Sequence, residues 1–287
     1  MKYRHSFHAG NFADVHKHVA LLALIRAMQR KDKGFLYIDT HAGAGAYDLP
    51  PSGGRHEAKQ GMAMLEGAAL ASEELRDYAN AIEQWQHRSG GRGSYPGSPA
   101  LACQALRPQD HAVCCELIAS ECRALERNLD GFRRVVVECA NGYQALKARL
   151  PSPERRSLIL IDPPYEQPQS ESEQAREALL TIHARQANAV VALWYPIKNE
   201  PAGASLAQVE SAAALLRLEL WVYPRDARVG LNGSGLLIIN PPHRYDERAR
   251  EWQRELAALL DPDQRGGSSV QHLEPAHDSS RGHRVDA

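Results

Sequence analysis

Leu158-Ile159-Leu160-Ile161 is followed at once by Asp162-Pro163-Pro164-Tyr165. Four aliphatic residues in a row suit a strand buried on both faces. A carboxylate, two prolines and a tyrosine at its end suit the activation of an aromatic amine. Such an amine is a poor nucleophile because its lone pair is delocalised into the ring. Two acceptors placed on its two hydrogens draw the nitrogen toward tetrahedral geometry. Asp162 offers one acceptor and the Pro163 carbonyl the other. Prolines lack N–H groups and fix φ, so the direction of that carbonyl is set in advance. Tyr165 offers a face for an extruded base, and such stacking is worth about 1–3 kcal/mol.

Asp/Asn-Pro-Pro-aromatic at a strand end marks enzymes that methylate an exocyclic amine of a base, with S-adenosylmethionine (AdoMet) as donor. In an open parallel sheet the ligand lies beyond the carboxyl ends of the strands, so the other strand ends deserve the same scrutiny. Asp39-Thr40-His41-Ala42-Gly43-Ala44-Gly45 forms a glycine turn, with His41 where AdoMet loops of this kind carry an aromatic residue. Gly43 and Gly45 permit positive φ and a close ligand. Position 48 is Asp, which breaks the G-x-G-x-x-G spacing and disfavours a nicotinamide dehydrogenase. Glu116 ends a second strand, where a carboxylate accepts ribose hydroxyls. Asn141-Gly142 ends a third and suits an adenine edge, although Asn-Gly is also an ordinary turn pair.

These groups need a scaffold. Strand-like runs lie at 35–39, 111–117, 133–140, 157–162, 189–196, 217–224 and 234–240. Helical stretches separate the earlier ones, which implies a parallel sheet with helices on both faces. The loop between the last two is too short for a crossover helix, so they pair antiparallel. The expected fold is α/β: a Rossmann-like class I AdoMet methyltransferase with seven mostly parallel strands, the last reversed. Residues 12–31 read as a helix with one apolar stripe, capped by Asn11 or Asp14 and followed by Gly34. Residues 47–97 read as a mostly helical insertion after the first strand. Residues 1–260 form the expected methyltransferase domain, and 261–287, polar and rich in Gly, Ser and His, an expected disordered tail.

The 287 residues carry a formal net charge of −1, which by itself advertises no polyanion partner. Residues 1–34 differ: seven Lys or Arg stand there against Asp14 and Asp32. A local basic patch suits nucleic acid and also an ordinary solvated helix face. No apolar run approaches the ~20 residues needed to span a bilayer, and the N-terminus has no secretory h-region. The expected location is the cytoplasm. The five cysteines, Cys103, Cys114, Cys115, Cys122 and Cys139, include no C-x-x-C pair and read as buried reduced thiols. No metal is expected, because no H-x-x-x-H pair is backed by a carboxylate at ligand spacing. Asn240-Pro241-Pro242-His243 imitates the Asp162 motif, but its fourth residue is a poorer stacking face and no strand follows it, so it reads as structural.

Several segments together resemble the bacterial ribosomal RNA large subunit methyltransferase J family. They are "YRHSFHAGNFADVHKH", "FLYIDTHAGAGAY", "YPGSP", "LILIDPPYE", "ALWYP" and "GLLIINPP", spanning residue 3 to about 242. The resemblance implies methylation of adenine N6 in protein-poor 23S rRNA, at adenine 2030. It implies AdoMet contacts from His18, His41, Ser98, Glu116, Asn141, Gly142 and Asp162, beside Gly43 of the glycine turn; the residues by themselves give no sign of Ser98. It places Tyr3 and Lys17 in catalysis with Asp162, Pro163 and Tyr165. It sets Tyr3, His5, Lys17 and Tyr165 against the target base or its phosphates. Asn141 stands where an acid is expected. The partner is then 23S rRNA, with no membrane and no obligate protein partner. The alternatives are guanine-N2 methylation of rRNA, adenine or cytosine methylation of DNA, and a non-catalytic ribosome-assembly factor on the same scaffold.

Overall fold

Strand β6 (Ser157–Ile161) is buried at every position, and both of its edges are paired. The computed structural model describes residues 9–49, 57–58, 60–91, 93–198 and 214–273. Around β6 lie β1 (Leu36–Asp39), β4 (His111–Cys115), β5 (Val135–Glu138), β7 (Val190–Ile197), β8 (Leu215–Trp221), β9 (Gly233–Ile239) and β10 (Gly267–Leu273). They form one sheet in the order β10-β8-β9-β7-β6-β1-β4-β5. The run from β5 to β7 is parallel throughout. β9 is antiparallel to both β7 and β8, as the short connecting loop requires.

The described sheet therefore has eight strands, one more than the sequence pattern predicts. The extra strand, β10, pairs antiparallel with β8 from Gly267↔Trp221 to Leu273↔Leu215. The expectation of a disordered tail from residue 261 is corrected for this segment. Its only large apolar residues are Val270 and Leu273, so a half-covered edge strand reads like a linker. Residues 274–287 lie outside the described residues.

Helices cover both faces. One face carries α1 (Phe12–Gln29), α2 (Glu73–Ser89), α3 (Ser98–Ala105), α4 (Ala119–Asn128) and α7 (Tyr245–Leu260); the other carries α5 (Gly142–Arg149) and α6 (Pro168–Arg185). Asn11 caps α1 through its side-chain oxygen, which accepts from the Ala13 and Asp14 N–H groups. The single apolar stripe expected of α1 is too narrow. The helix is buried almost all round, because α2, α3 and α7 pack on the side away from the sheet. His16, Lys17 and His18 are therefore interior residues.

The insertion is closed at its base by a two-stranded ribbon, β2 (Ala46–Asp48) with β3 (Ser94–Pro96), with Tyr47 opposite Tyr95. A 3₁₀ turn (Met62–Met64) and α2 lie between the two. The ribbon returns the chain to the mouth of β1, where the Gly97 N–H donates to the Gly45 carbonyl at 2.9 Å. Among the described residues no helix is long and apolar enough to cross a membrane.

Candidate active site

The carboxyl ends of β1 and β6 meet α3 and α1 through Asp39–Ser98 and Asp162–Lys17, and residues past β4 and β5 close on the turn after β1. The register makes this possible: Asp39 sits opposite Cys114 on one side and Leu160 on the other, so Glu116 and Asp162 each lie two residues beyond it. α1 runs back along the sheet with its amino end at this mouth. It brings the Lys17 ammonium 2.6 Å from Asp162 Oδ2 and 3.0 Å from Asp14 Oδ1. Lys17 and Asp14 are buried and Asp162 nearly so. Burial alone would push the ammonium down, but Asp14 and Asp162 outweigh it and hold the Lys17 pKa above the ordinary lysine value. Lys17 is therefore a fixed cation and no proton acceptor.

Asp39 is fully buried at the end of β1. Its Oδ2 accepts from the Tyr37 hydroxyl at 2.8 Å and the Ser98 hydroxyl at 2.7 Å, and its Oδ1 from the His41 N–H at 3.2 Å. Burial raises this carboxyl from 3.8 to about 6, against the pull of those hydrogen bonds. Ser98, implied only by resemblance, thus reaches the site because the ribbon delivers α3 to β1. Asp39 also stands at this mouth, though its residue type alone assigns it no task; its place at the head of the glycine turn is the available signal.

Glu116 accepts the Gly43 N–H at 2.9 Å through Oε2 and the Ile118 N–H at 2.7 Å through Oε1, while burial raises its pKa. The Leu117 N–H also bonds this carboxylate, and of its about four lone-pair sites one remains for a hydroxyl. Gly43 has φ +58°, a conformation that favours glycine, and a Cβ there would stand 2.2 Å from the Tyr47 hydroxyl and push it aside. Asn141 Oδ1 caps α5 by accepting from Tyr143 N at 2.9 Å and Gln144 N at 3.4 Å. The acceptor that the sequence reading aims at an adenine is thus committed to the helix start. Gly142 has a packing task as well: a Cβ there would meet the Thr40 carbonyl oxygen at 2.1 Å. His41 bonds Thr40 through Nδ1 at 2.8 Å and meets Tyr143 edge-on at 5.1 Å; burial lowers it to about 4, which keeps it neutral.

Tyr165 takes φ +52°, a conformation that costs a bulky residue energy, and lies buried against the second face of the sheet. Its hydroxyl donates to the Trp194 carbonyl at 2.8 Å, and its ring meets the Trp194 indole at 5.8 Å and 67°. His18 joins the Tyr95 hydroxyl through Nδ1 at 2.9 Å, facing the ribbon. Pro163 is buried beside Asp162. Tyr3 and His5 lie outside the described residues. Asn240 donates to the Ala187 and Ala189 carbonyls at 2.8 Å each, which is a structural task as expected.

The thiol reading holds for Cys103, Cys114 and Cys115, which are buried and free. It is corrected for Cys122 and Cys139, which form a disulfide. Their 17-residue separation hides a contact that exists only once α4 packs on β5. Among the described residues these two sulfurs and Glu126 are also the one grouping with metal-ligand proximity, and the sulfurs are bonded to each other.

Residues 32–273 match the family described as "Ribosomal RNA large subunit methyltransferase D, RlmJ". The chain belongs to this family. Two relatives named ribosomal RNA large subunit methyltransferase J agree along nearly the whole chain. The Escherichia coli K12 protein is 38% identical over 284 residues, and the Haemophilus influenzae protein 34% over 280; each comparison covers 96% of this chain and 99% of the relative. A crystal structure of a Legionella pneumophila protein superposes with TM-score 0.83 at 32% identity, covering 94% of this chain and 99% of that one. Family membership makes the protein a methyltransferase of class I fold.

Proposed function

We propose that this protein transfers the methyl group of AdoMet to N6 of an adenine in 23S rRNA, the adenine at position 2030 by family resemblance. The observation that carries the reading is the strand-end carboxylate Asp162, followed by two prolines and gripped by the buried ammonium of Lys17. The residues present fit AdoMet. The glycine turn closes on Glu116, which keeps an acceptor site for a ribose hydroxyl. The Tyr143 hydroxyl, next to Asn141 and His41, is buried without a hydrogen-bond partner among the described residues. Asp39, Glu116, Asp14 and Asp162 also make the mouth acidic, which suits a cationic ligand. His18, His41, Gly43, Ser98, Glu116, Asn141, Gly142 and Asp162 would line that cofactor.

When bound, the cofactor supplies an electrophilic methyl group on a sulfonium. The chain's own part is to prepare the amine. Lys17 holds one oxygen of Asp162, leaving the other to accept a hydrogen of N6. The Pro163 carbonyl accepts the second hydrogen, and the nitrogen lone pair becomes available for in-line attack. The base rests against Tyr165. The aminium formed on adenine is acidic and sheds its proton without a strong base. Tyr3 and His5 would contact the base or its phosphates. The reading needs no metal and places the reaction in the bacterial cytoplasm, on rRNA largely free of ribosomal proteins.

The test is transfer of labelled methyl from AdoMet to protein-free 23S rRNA, followed by nucleoside analysis. Label in N6-methyladenosine is the expected result. Label on guanine N2, or on DNA in preference to rRNA, overturns the reading.

A further inference from the structure

Trp194 lies in the second half of β7 (Val190–Ile197), just past the pairing of Leu193 with Ile161 and so beside Asp162. Trp194 is half-buried and touches the machinery at three points. Its carbonyl accepts from the Tyr165 hydroxyl at 2.8 Å, its ring meets the Tyr165 ring, and the Lys17 ammonium lies 5.6 Å from the indole centroid. The indole N–H donates to Ser234 Oγ at 2.9 Å, and the same oxygen lies 2.9 Å from His16 Nδ1. We propose that Trp194 is a positioning residue of the methyl-acceptor site, braced by Ser234 and His16, that sets Tyr165 and Lys17 in place. The inference rests on reading Asp162 and Tyr165 as the base site.

Hydrogen-bond polarity fixes the role of the indole. An indole N–H only donates, so Ser234 Oγ accepts from it. The serine oxygen also lies 2.9 Å from His16 Nδ1, and its hydroxyl reaches the Ala13 carbonyl at 3.5 Å. Full burial lowers the His16 pKa to about 3, which keeps the imidazole neutral beside Ser234. Ser234 and His16 are completely buried, so water cannot replace either bond. Consecutive residues of α1 thus serve two parts of one site: Lys17 grips Asp162, and His16 reaches the indole through Ser234. The ladder pairs Trp194 with Leu236 and Pro196 with Ser234, which places the serine diagonal to the indole.

The test compares single-turnover methyl transfer at saturating AdoMet and rRNA in the wild type, Ser234→Ala, Trp194→Phe and the double variant. Each single variant removes the same hydrogen bond, and Trp194→Phe keeps an aromatic ring should Ser234→Ala fail to fold. The expected result is a rate about tenfold lower in each, AdoMet affinity unchanged, a double variant no slower than the singles, and recovery in Ser234→Thr. A wild-type rate in either single variant, or losses that multiply in the double, overturns the proposal. Absence of transfer by the wild type overturns the parent reading and this one together. Wild-type transfer with unimpaired variants overturns only this one.

Discussion

Lys17 Nζ lies 2.6 Å from Asp162 Oδ2, although 145 residues separate them in the chain. The pair sits where α1 crosses the carboxyl end of β6, with Asp14 as a second anion on the same cation. Removing Lys17 therefore strands two carboxylates in the interior. Lys17→Met should destabilise the fold by about 3–5 kcal/mol and stop transfer. Urea unfolding followed by tryptophan fluorescence measures the first effect. A change under 1 kcal/mol would mean that water reaches the pair freely.

Asp162 acts here as a hydrogen-bond acceptor, so charge should matter less than an oxygen in place. Asp162→Asn should keep measurable transfer, about 10–100-fold reduced, because the amide oxygen still accepts. Asp162→Ala should lose about 10³-fold or more. Equal loss in both variants, by single-turnover assay, would show that a proton must be taken up at this position.

Tyr165 separates ring from hydroxyl. Tyr165→Phe forfeits the bond to the Trp194 carbonyl, worth about 0.5–1.5 kcal/mol, and should slow transfer severalfold. Tyr165→Ala removes the stacking face and should cost 100-fold or more. If the two variants were equally slow, the hydroxyl would be carrying the effect.

Acid should weaken the fold through His16. Its folded pKa, about 3, lies below the ordinary 6.5, so the unfolded chain takes up a proton that the native chain refuses. Its contribution is whole above 6.5 and is lost as pH falls toward 3. Asp39 acts in the opposite sense: its folded pKa of about 6 exceeds 3.8, so stability declines as pH rises from 3.8 to 6. His16→Gln should therefore remove a slope of about 1.4 kcal/mol per pH unit between pH 4 and 6. Chemical denaturation at stepped pH measures it, and an unchanged slope would show that His16 is protonated in the native state.

Asn141 and Gly142 test the cofactor end. Asn141→Asp keeps the helix cap, since the two residues cap about equally, and restores the acid of the family pattern. Melting should hold steady while AdoMet affinity stays equal or improves severalfold. Gly142→Ala should push α5 away from Thr40, costing about 1–3 kcal/mol and at least tenfold in AdoMet affinity by calorimetry. Unaltered binding in Gly142→Ala would remove this loop from the cofactor site.

The parts legible in the sequence were the local ones. A run of aliphatics fixes β6 and its end fixes Asp162, because strand burial and motif share one short window. The glycine turn after β1 and the cap at Asn11 are equally local. What stayed hidden depends on elements meeting in space. Ser98 reaches Asp39 only because the β2–β3 ribbon folds back, and Ser234 reaches Trp194 only across a ladder. Lys17 is an interior cation on a helix whose polar spacing suggests a solvated face, and only family resemblance pointed to it. Cys122 and Cys139 look like isolated thiols until α4 docks on β5.

β10 has a consequence for handling the protein. By covering β8 along seven residues it occupies backbone donors and acceptors that would otherwise face outward. A chain shortened to end before Gly267 would leave β8 as an open template for a neighbouring molecule. Such a truncation should self-associate, even though every residue at the mouth of the sheet would still be present.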